Sequence, residues 1–152
     1  MAKTKRRTKK QIVKFLRRAS TYQDLPVYVK MFTDKSETAY GAYTWTYLDA
    51  DQNAVMCVKV NTDIQTEWSE ILLHELGHFE LEHYFVSSRP LIKHEFEAQL
   101  WAARRAEELG WNRMAERLMA TFDEWSNNTH WWNTPYRRYV LAGRMAKERG
   151  IV

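Results

Sequence analysis

The chain has 152 residues, of which 45% are hydrophobic and 14% aromatic. This size suits one domain, and the apolar content excludes disorder for most of the chain. The net charge of +4 hides an asymmetry, because residues 1–18 hold nine Lys or Arg and no acid, which leaves 14 bases against 19 acids in residues 19–152. We therefore expect a basic N-terminal arm, residues 1–18, and a single acidic domain, residues 19–152.

The arm is predicted to end in a short amphipathic helix at residues 9–19. Ile12, Phe15 and Leu16 recur there at near-helical spacing among bases. A segment of this kind can contact nucleic acid, an acidic partner or an anionic membrane surface, and the alternative is a solvated tail. The candidate contacts for nucleic acid or an acidic partner are Lys5, Arg6, Arg7, Lys9, Lys10, Arg17 and Arg18.

The sequence contains no predicted signal peptide or membrane span. The basic start is not followed by the apolar core of about 7–15 residues that a signal peptide has, and no apolar run is long enough to cross a bilayer. The lone Cys57 cannot form an internal disulfide, and its apolar neighbours predict a buried thiol. These features predict a cytoplasmic protein.

Three segments rich in β-branched and aromatic residues come next, at 26–33, 38–48 and 54–60. A polar turn at 49–53 joins the last two segments. Because the connections are short, we expect a small three-stranded antiparallel sheet.

The pattern then becomes helical. Residues 66–85 carry apolar side chains on one stripe, and Thr66 is the expected N-cap. Three further helices are predicted at 91–109, 111–125 and 135–149. The expected order is an N-terminal helix, three strands, and then four helices, which is an α+β fold.

Residues 74–78 read His-Glu-Leu-Gly-His and fall in the middle of the first of these four helices. Residues four apart lie on one face of a helix, so His74 and His78 can bind one metal ion. Glu75 lies about 60° from His78 on the same side and can reach a water on that metal. This pattern is typical of a zinc site with a general base, and the alternative is a helix with two surface histidines.

A catalytic zinc site needs a third protein ligand. The metzincin extension is excluded, because Leu81 and Tyr84 stand where that pattern has Gly and His. The next helix offers Glu95 and Glu97, which lie about 200° apart around the helix, so only one of them can face the metal. The alternative is that both are solvated acids.

The sequence also resembles a known family. His-Glu-Leu-Gly-His, followed one helix later by Glu-Phe-Glu-Ala-Gln-Leu-Trp-Ala at residues 95–102, is similar to the ImmA/IrrE-type zinc metallopeptidases, whose pattern is HELGH and then E-x-E-A-N-x-F-A. The resemblance covers roughly residues 25–110, with Gln99 and Trp101 standing where the family has Asn and Phe. It implies a minimal zincin fold, a bound Zn²⁺ and specific cleavage of a regulatory protein such as a repressor.

We assign the third ligand to Glu95, as in gluzincins, where the residue four positions later supports the ligand. Gln99 stands at that offset and can donate an amide hydrogen bond, whereas Glu97 has Trp101 there. Glu97 and Gln99 remain candidates for an alternative ligand or for a hydrogen-bond partner of a ligand.

Several other side chains are weaker candidates. Oxyanion stabilisation in zinc peptidases often comes from a histidine or tyrosine donor, and the candidates here are His130, Tyr136 and Tyr84. His83 is expected to be a surface or capping histidine. His94 is expected to be solvated at the surface, and the alternative is a helix-start residue at the edge of the site.

These patterns predict a zinc-dependent metallopeptidase that hydrolyses a peptide bond in a protein substrate, with Glu75 as general base. An extended substrate is expected to pair with the strand at 54–60, if that strand is an exposed edge. The alternative is a non-catalytic zincin-fold protein that binds a partner, with nucleic-acid contact through the arm. The presence of Glu75 favours the enzyme, because a scaffold has no use for it.

Overall fold

The computed structural model describes residues 7–36, 41–63, 68–83 and 92–152. It divides into two compact units, Met1–Glu80 and Leu81–Val152, which we call the N-terminal and C-terminal units. Helices and strands of the N-terminal unit are α1 (Lys9–Ala19), β1 (Val27–Phe32), β2 (Ala42–Leu48), β3 (Ala54–Asn61) and α2 (Trp68–Glu80). Those of the C-terminal unit are α3 (Ile92–Glu108), α4 (Asn112–Asn127), a short 3-10 helix (Thr129–Trp131) and α5 (Arg137–Glu148).

The α+β class and the order of helices and strands are confirmed. No helix among the residues that the structure describes is long and apolar enough to cross a membrane. The predicted N-cap of α2, Thr66, lies outside the described residues. Helix α2 ends at Glu80, five residues before the predicted end, and Glu82 adopts a left-handed backbone conformation with φ of 58° soon after it.

Helix α1 confirms the predicted amphipathic helix. A capping box starts it, because Thr8 Oγ1 accepts a hydrogen bond from Gln11 N at 3.1 Å while Gln11 Oε1 accepts one from Thr8 N at 2.9 Å. Ile12 and Leu16 are buried, and the helix contacts β1 and α2. Part of the predicted arm is therefore a folded element of the N-terminal unit.

The sheet is mixed and has the order β1-β3-β2. Strand β2 runs antiparallel to β3, with Ala42 opposite Val60, as the short turn predicts. The antiparallel prediction is wrong for β1, which runs parallel to β3 with Val27 opposite Met56.

The position of β3 explains this difference. Its residues 55–58 are all buried, and a strand that is apolar on both faces is stabilised most between two neighbours. Alternation along β1 indicates a strand but does not say which neighbour it pairs with. The central position also contradicts the expectation that the strand at 54–60 is an exposed edge.

The two faces of the sheet differ. On the face that we call the covered face, Ala42 and Val60 line a small cavity together with Trp68 and Leu72 of α2. Val29, Met56 and Val58 are buried on the same face. The opposite face, which we call the open face, carries exposed aromatic side chains, namely Tyr28, Tyr43, Trp45 and Tyr47.

Cys57 lies on the open face of β3, opposite Tyr28 on one side and Trp45 on the other. Its side chain is buried, as predicted, and burial raises the pKa of its thiol. The thiol is therefore protonated at neutral pH and unreactive as a nucleophile.

The C-terminal end of α2 is tied to the loop that follows α1. The carboxylate of Glu80 accepts hydrogen bonds from Ser20 Oγ at 2.7 Å, Thr21 N at 2.8 Å and Thr21 Oγ1 at 2.6 Å. Hydrogen bonds to a charged acceptor are among the stronger ones in proteins. They fix the last turn of the helix that carries the His-Glu-Leu-Gly-His motif.

Helices α3, α4 and α5 pack against one another around an aromatic core. The ring of Phe122 lies 5.7 Å from that of Phe96 and 5.8 Å from that of Trp125, and the Trp125 ring lies 4.9 Å from Tyr139. Gly143 lets α5 approach α4 closely, since a Cβ there would lie 2.4 Å from the backbone oxygen of Phe122. These contacts bring Arg138 of α5 into contact with Glu95 of α3.

Candidate metal centre

Helix α2 brings the two motif histidines together. Their Nε2 atoms lie 3.1 Å apart and their rings are nearly perpendicular, at 83°. Two imidazole nitrogens bound to one tetrahedral Zn²⁺ at about 2.0–2.1 Å would be about 3.3–3.4 Å apart. The separation of His74 and His78 therefore differs from the chelating distance by only a few tenths of an ångström.

Glu75 follows His74 on the same helix and is buried. In a His-Glu-x-x-His helix the glutamate is next to the ligands without being one, which suits it to accept a proton from a water held between them. Glu75 is only 5% exposed, so it lies largely out of bulk water beside the two histidines.

Glu95 lies in the first turn of α3 and is only 2% exposed. Arg138 of α5 compensates its charge, with Nε donating to Glu95 Oε2 at 2.8 Å. The guanidinium also donates through Nη1 to the carbonyl of Pro135 at 2.7 Å and through Nη2 to Tyr139 Oη at 3.3 Å. Three acceptors thus hold Arg138 in place, and Arg138 in turn orients Glu95.

The pKa of Arg138 reflects the same contacts. Burial lowers it, but the interactions with Tyr139 and Glu95 outweigh burial and raise it above its ordinary value. Arg138 is therefore a permanent positive charge next to Glu95.

His74, His78 and Glu95 each offer one ligand atom, and these atoms all lie within 4.8 Å of one another. Two imidazoles and one carboxylate are donors that Zn²⁺ accepts, and the same set occurs in catalytic zinc sites. Among the described residues, this group of three fits a metal ion by the chemistry of its donors.

Glu97 and Gln99, the two alternatives named together with Glu95, have other surroundings. Glu97 is half-buried and is not one of the three clustered residues. Gln99 is buried, and its Nε2 donates to the carbonyl of Leu118 in α4 at 2.8 Å. Arg138 donates to Glu95, and the sequence did not identify it as a site residue. Arg138 follows Glu95 by 43 residues in the sequence. The only sequence signal for it was a general one, namely that a buried carboxylate needs a cation nearby.

The structure places His94 differently from the expectation. His94 is buried, and its ring stacks on that of His83 at 4.2 Å with 15° between the planes. The surface prediction for His94 is wrong because His94 lies on the same buried side of α3 as Glu95 and Ala98. His83 is half-buried.

The oxyanion candidates occupy different environments. His130 is exposed in the 3-10 helix, and Tyr136 is half-buried with its ring 5.6 Å from that of Trp131. Tyr84 lies outside the described residues.

The basic residues of the arm fall into two groups. Arg17 Nε donates to the carbonyl of Leu25 at 3.2 Å, and the guanidinium of Arg7 lies 4.8 Å from the centre of the Trp68 ring, so both contact the N-terminal unit itself. Lys9, Lys10 and Arg18 are exposed on α1. Lys5 and Arg6 lie outside the described residues.

Comparisons with family models, curated proteins and solved structures found no match to this chain.

Proposed function

We propose that the chain is a zinc-dependent metallopeptidase in which His74, His78 and Glu95 bind Zn²⁺ and Glu75 is the general base. One observation carries this proposal, namely that a His/His/Glu donor set lies within 4.8 Å in a chain where a buried glutamate directly follows the first histidine. The similarity of residues 74–78 and 95–102 to the ImmA/IrrE-type metallopeptidases is a second support.

The reaction is hydrolysis of a peptide bond. When bound, Zn²⁺ supplies Lewis acidity, which makes a water more acidic and polarises a carbonyl. The carboxylate of Glu75 accepts the proton of the attacking water as the new C–O bond forms, and it returns this proton to the amine nitrogen as the C–N bond breaks. Arg138 keeps the Glu95 carboxylate oriented throughout.

The substrate is an extended protein segment that pairs with the edge of β2. Strand β3 is paired on both sides, whereas β2 pairs with β3 alone among the described strands and contacts α2, the helix that carries both histidines. Addition of a peptide strand to an exposed sheet edge provides backbone hydrogen bonds without a sequence requirement. By its resemblance to the family, we propose that the substrate is a regulatory protein.

The alternative function is that of a non-catalytic partner-binding protein that keeps the metal for stability. The open face of the sheet favours this alternative, because exposed Tyr and Trp are enriched at protein interfaces. The exposed bases of α1 would add nucleic-acid contact to either function.

Four proteins test the proposal, namely the wild type and the variants Glu75→Gln, Glu95→Ala and Glu97→Ala. We expect about one zinc per chain in the wild type, Glu75→Gln and Glu97→Ala by metal analysis. We expect loss of zinc in Glu95→Ala, because Glu95 is the only one of these three glutamates that is a proposed ligand. Incubation with a host lysate followed by proteomics should show new protein termini with the wild type and with Glu97→Ala, but none with Glu75→Gln.

Glu97→Ala is the matched control, since it removes a carboxylate from the same helix without touching the cluster. If Glu75→Gln keeps the full biological effect of the wild type, the protein acts by binding a partner, which is the alternative function. Loss of zinc in Glu97→Ala with retention in Glu95→Ala would exchange the roles of the two glutamates.

A further inference from the structure

Among the described strands β2 pairs with β3 alone, and it lacks the features that usually protect an edge strand against pairing. Its seven residues, Ala42–Leu48, contain no charge, no proline and no glycine. Natural proteins generally guard edge strands with lysines, prolines or bulges, because an unguarded edge pairs with other chains. The register with β3 is continuous from Ala42 to Leu48 without a bulge. This edge is therefore built to accept another strand.

Three aromatic side chains form a row on the open face of this strand. Tyr43, Trp45 and Tyr47 are every second residue and stand about 6.8 Å apart along the strand. They are 47%, 42% and 50% exposed. We call them the aromatic row.

The inner side of the row is already packed. Its three residues lie opposite Lys59, Cys57 and Val55 of β3, and the last two of these are buried. The Phe32 ring lies 6.1 Å from that of Tyr43, and the ammonium of Lys59 lies 4.8 Å from the centre of the Phe32 ring. About half of each residue in the row is exposed, so a strand added on the outer side of β2 can contact these side chains.

We infer that the aromatic row selects the substrate: an extended segment with aromatic or β-branched side chains at every second position, which pairs with the edge of β2. This inference rests on the proposed peptidase function and names its substrate class. Side chains directly opposite each other on paired strands lie about 4.5–5.5 Å apart, and aromatic–aromatic and aromatic–β-branched pairs are the favourable ones. The alternate residues of the segment meet the row.

The charge of the surrounding chain favours a protein segment over single-stranded nucleic acid, which also stacks on aromatic rings. Residues 42–61, which form β2, β3 and the turn between them, contain one base and two acids. A polyanion needs several cationic contacts to bind, and Lys59 is the one base in this part of the sequence. The pairing groups of an extended peptide are its uncharged backbone amides, which the acids do not repel.

The test measures binding of fluorescent peptides to the full-length Glu75→Gln protein by anisotropy, so that cleavage does not intervene. One peptide alternates Val or Tyr with Ser and Gln, and a second has the same composition with the apolar residues grouped. We expect the alternating peptide to bind more tightly. Each substitution of Tyr43, Trp45 or Tyr47 by Ser should weaken its binding about two- to fivefold.

Tyr28→Ser is the matched control, because Tyr28 is an exposed aromatic residue on the same open face but on β1, the other edge strand. It should leave the affinity unchanged, and far-ultraviolet circular dichroism should show that every variant is folded. Equal affinity for both peptides, or equal weakening by Tyr28→Ser and Trp45→Ser, would overturn the inference. So would tight binding of an oligothymidylate that is lost in Trp45→Ser.

The two proposals can fail separately. In one case wild type hydrolyses substrates, and Trp45→Ser has the same preference for alternating segments as wild type. The inference about the aromatic row is then wrong, while the peptidase proposal stands. If the alternating peptide binds through the row and wild type hydrolyses nothing, the binding surface is supported and the peptidase proposal is wrong.

Discussion

At the scale of single residues, the ion pair of Glu95 with Arg138 decides how the proposed zinc ligand behaves. A carboxylate with 2% exposure is unfavourable without a partner, and Arg138 provides one at 2.8 Å. Its positive charge also repels a metal ion, so two effects oppose each other. Partners that orient a metal ligand usually change affinity 10- to about 100-fold, and we expect orientation to prevail.

Arg138→Ala should therefore weaken zinc binding about 10- to 100-fold, measured by competition with a chromophoric chelator. Arg138→Lys should recover part of the loss, because it restores the charge without the fixed geometry of the guanidinium. Arg137→Ala is the control, since Arg137 precedes Arg138 on α5 but stacks on Trp132 at 4.2 Å. Unchanged affinity in Arg138→Ala would show that Arg138 does not orient Glu95 for zinc binding.

At the scale of helices, the contact between α4 and α5 depends on Gly143. Alanine has the higher helix propensity, by about 1 kcal/mol, which alone would make Gly143→Ala stabilising. The added Cβ would lie 2.4 Å from the Phe122 carbonyl oxygen and 2.7 Å from Ser126 N, both backbone atoms that cannot move aside alone. The clash therefore outweighs propensity.

We expect Gly143→Ala to lower the free energy of unfolding by about 1–3 kcal/mol, as overpacked positions do. Urea unfolding followed by circular dichroism measures this change. Glu148→Ala, at an exposed position of the same helix, should stay within about 0.5 kcal/mol of wild type. A Gly143→Ala protein that is more stable than wild type would contradict the close packing of α5 on α4.

Helices and strands also show where sequence reasoning succeeds and where it stops. The pair of His74 and His78 is local, because a helix fixes the relation between residues four apart, and the structure has their Nε2 atoms 3.1 Å apart. The direction of β1 and the partner of Glu95 depend on residues far away in sequence. The sequence pattern can predict that a segment is a strand or that a carboxylate is buried. It does not say which strand pairs with that segment or which arginine lies beside that carboxylate.

At the scale of the whole molecule, a bound metal should raise thermal stability. A ligand that binds only the folded state at about 100 times its dissociation constant adds about 2.7 kcal/mol. For a chain of this length, that corresponds to about 5–11 °C in Tm. Scanning calorimetry before and after removal of zinc with a chelator should show a decrease of this size.

Glu75→Gln should show the same decrease as wild type, because Glu75 is not a proposed ligand. Glu95→Ala should melt at the same temperature with and without chelator. A wild-type Tm that does not respond to chelator or to added zinc would contradict the metal proposal.

Helix α1 limits how the charge of the basic arm can be changed, both in an experiment and in evolution. Its buried side, with Ile12 and Leu16, is part of the core, while Lys9, Lys10 and Lys14 face solvent. Deleting residues 1–18 would remove core side chains together with the charge, so a truncated protein that lost nucleic-acid binding would report on folding. Charge-reversing substitutions on the solvent side separate the two effects. The same holds in evolution, because the solvent side of α1 can gain or lose charged residues while its buried side preserves the fold.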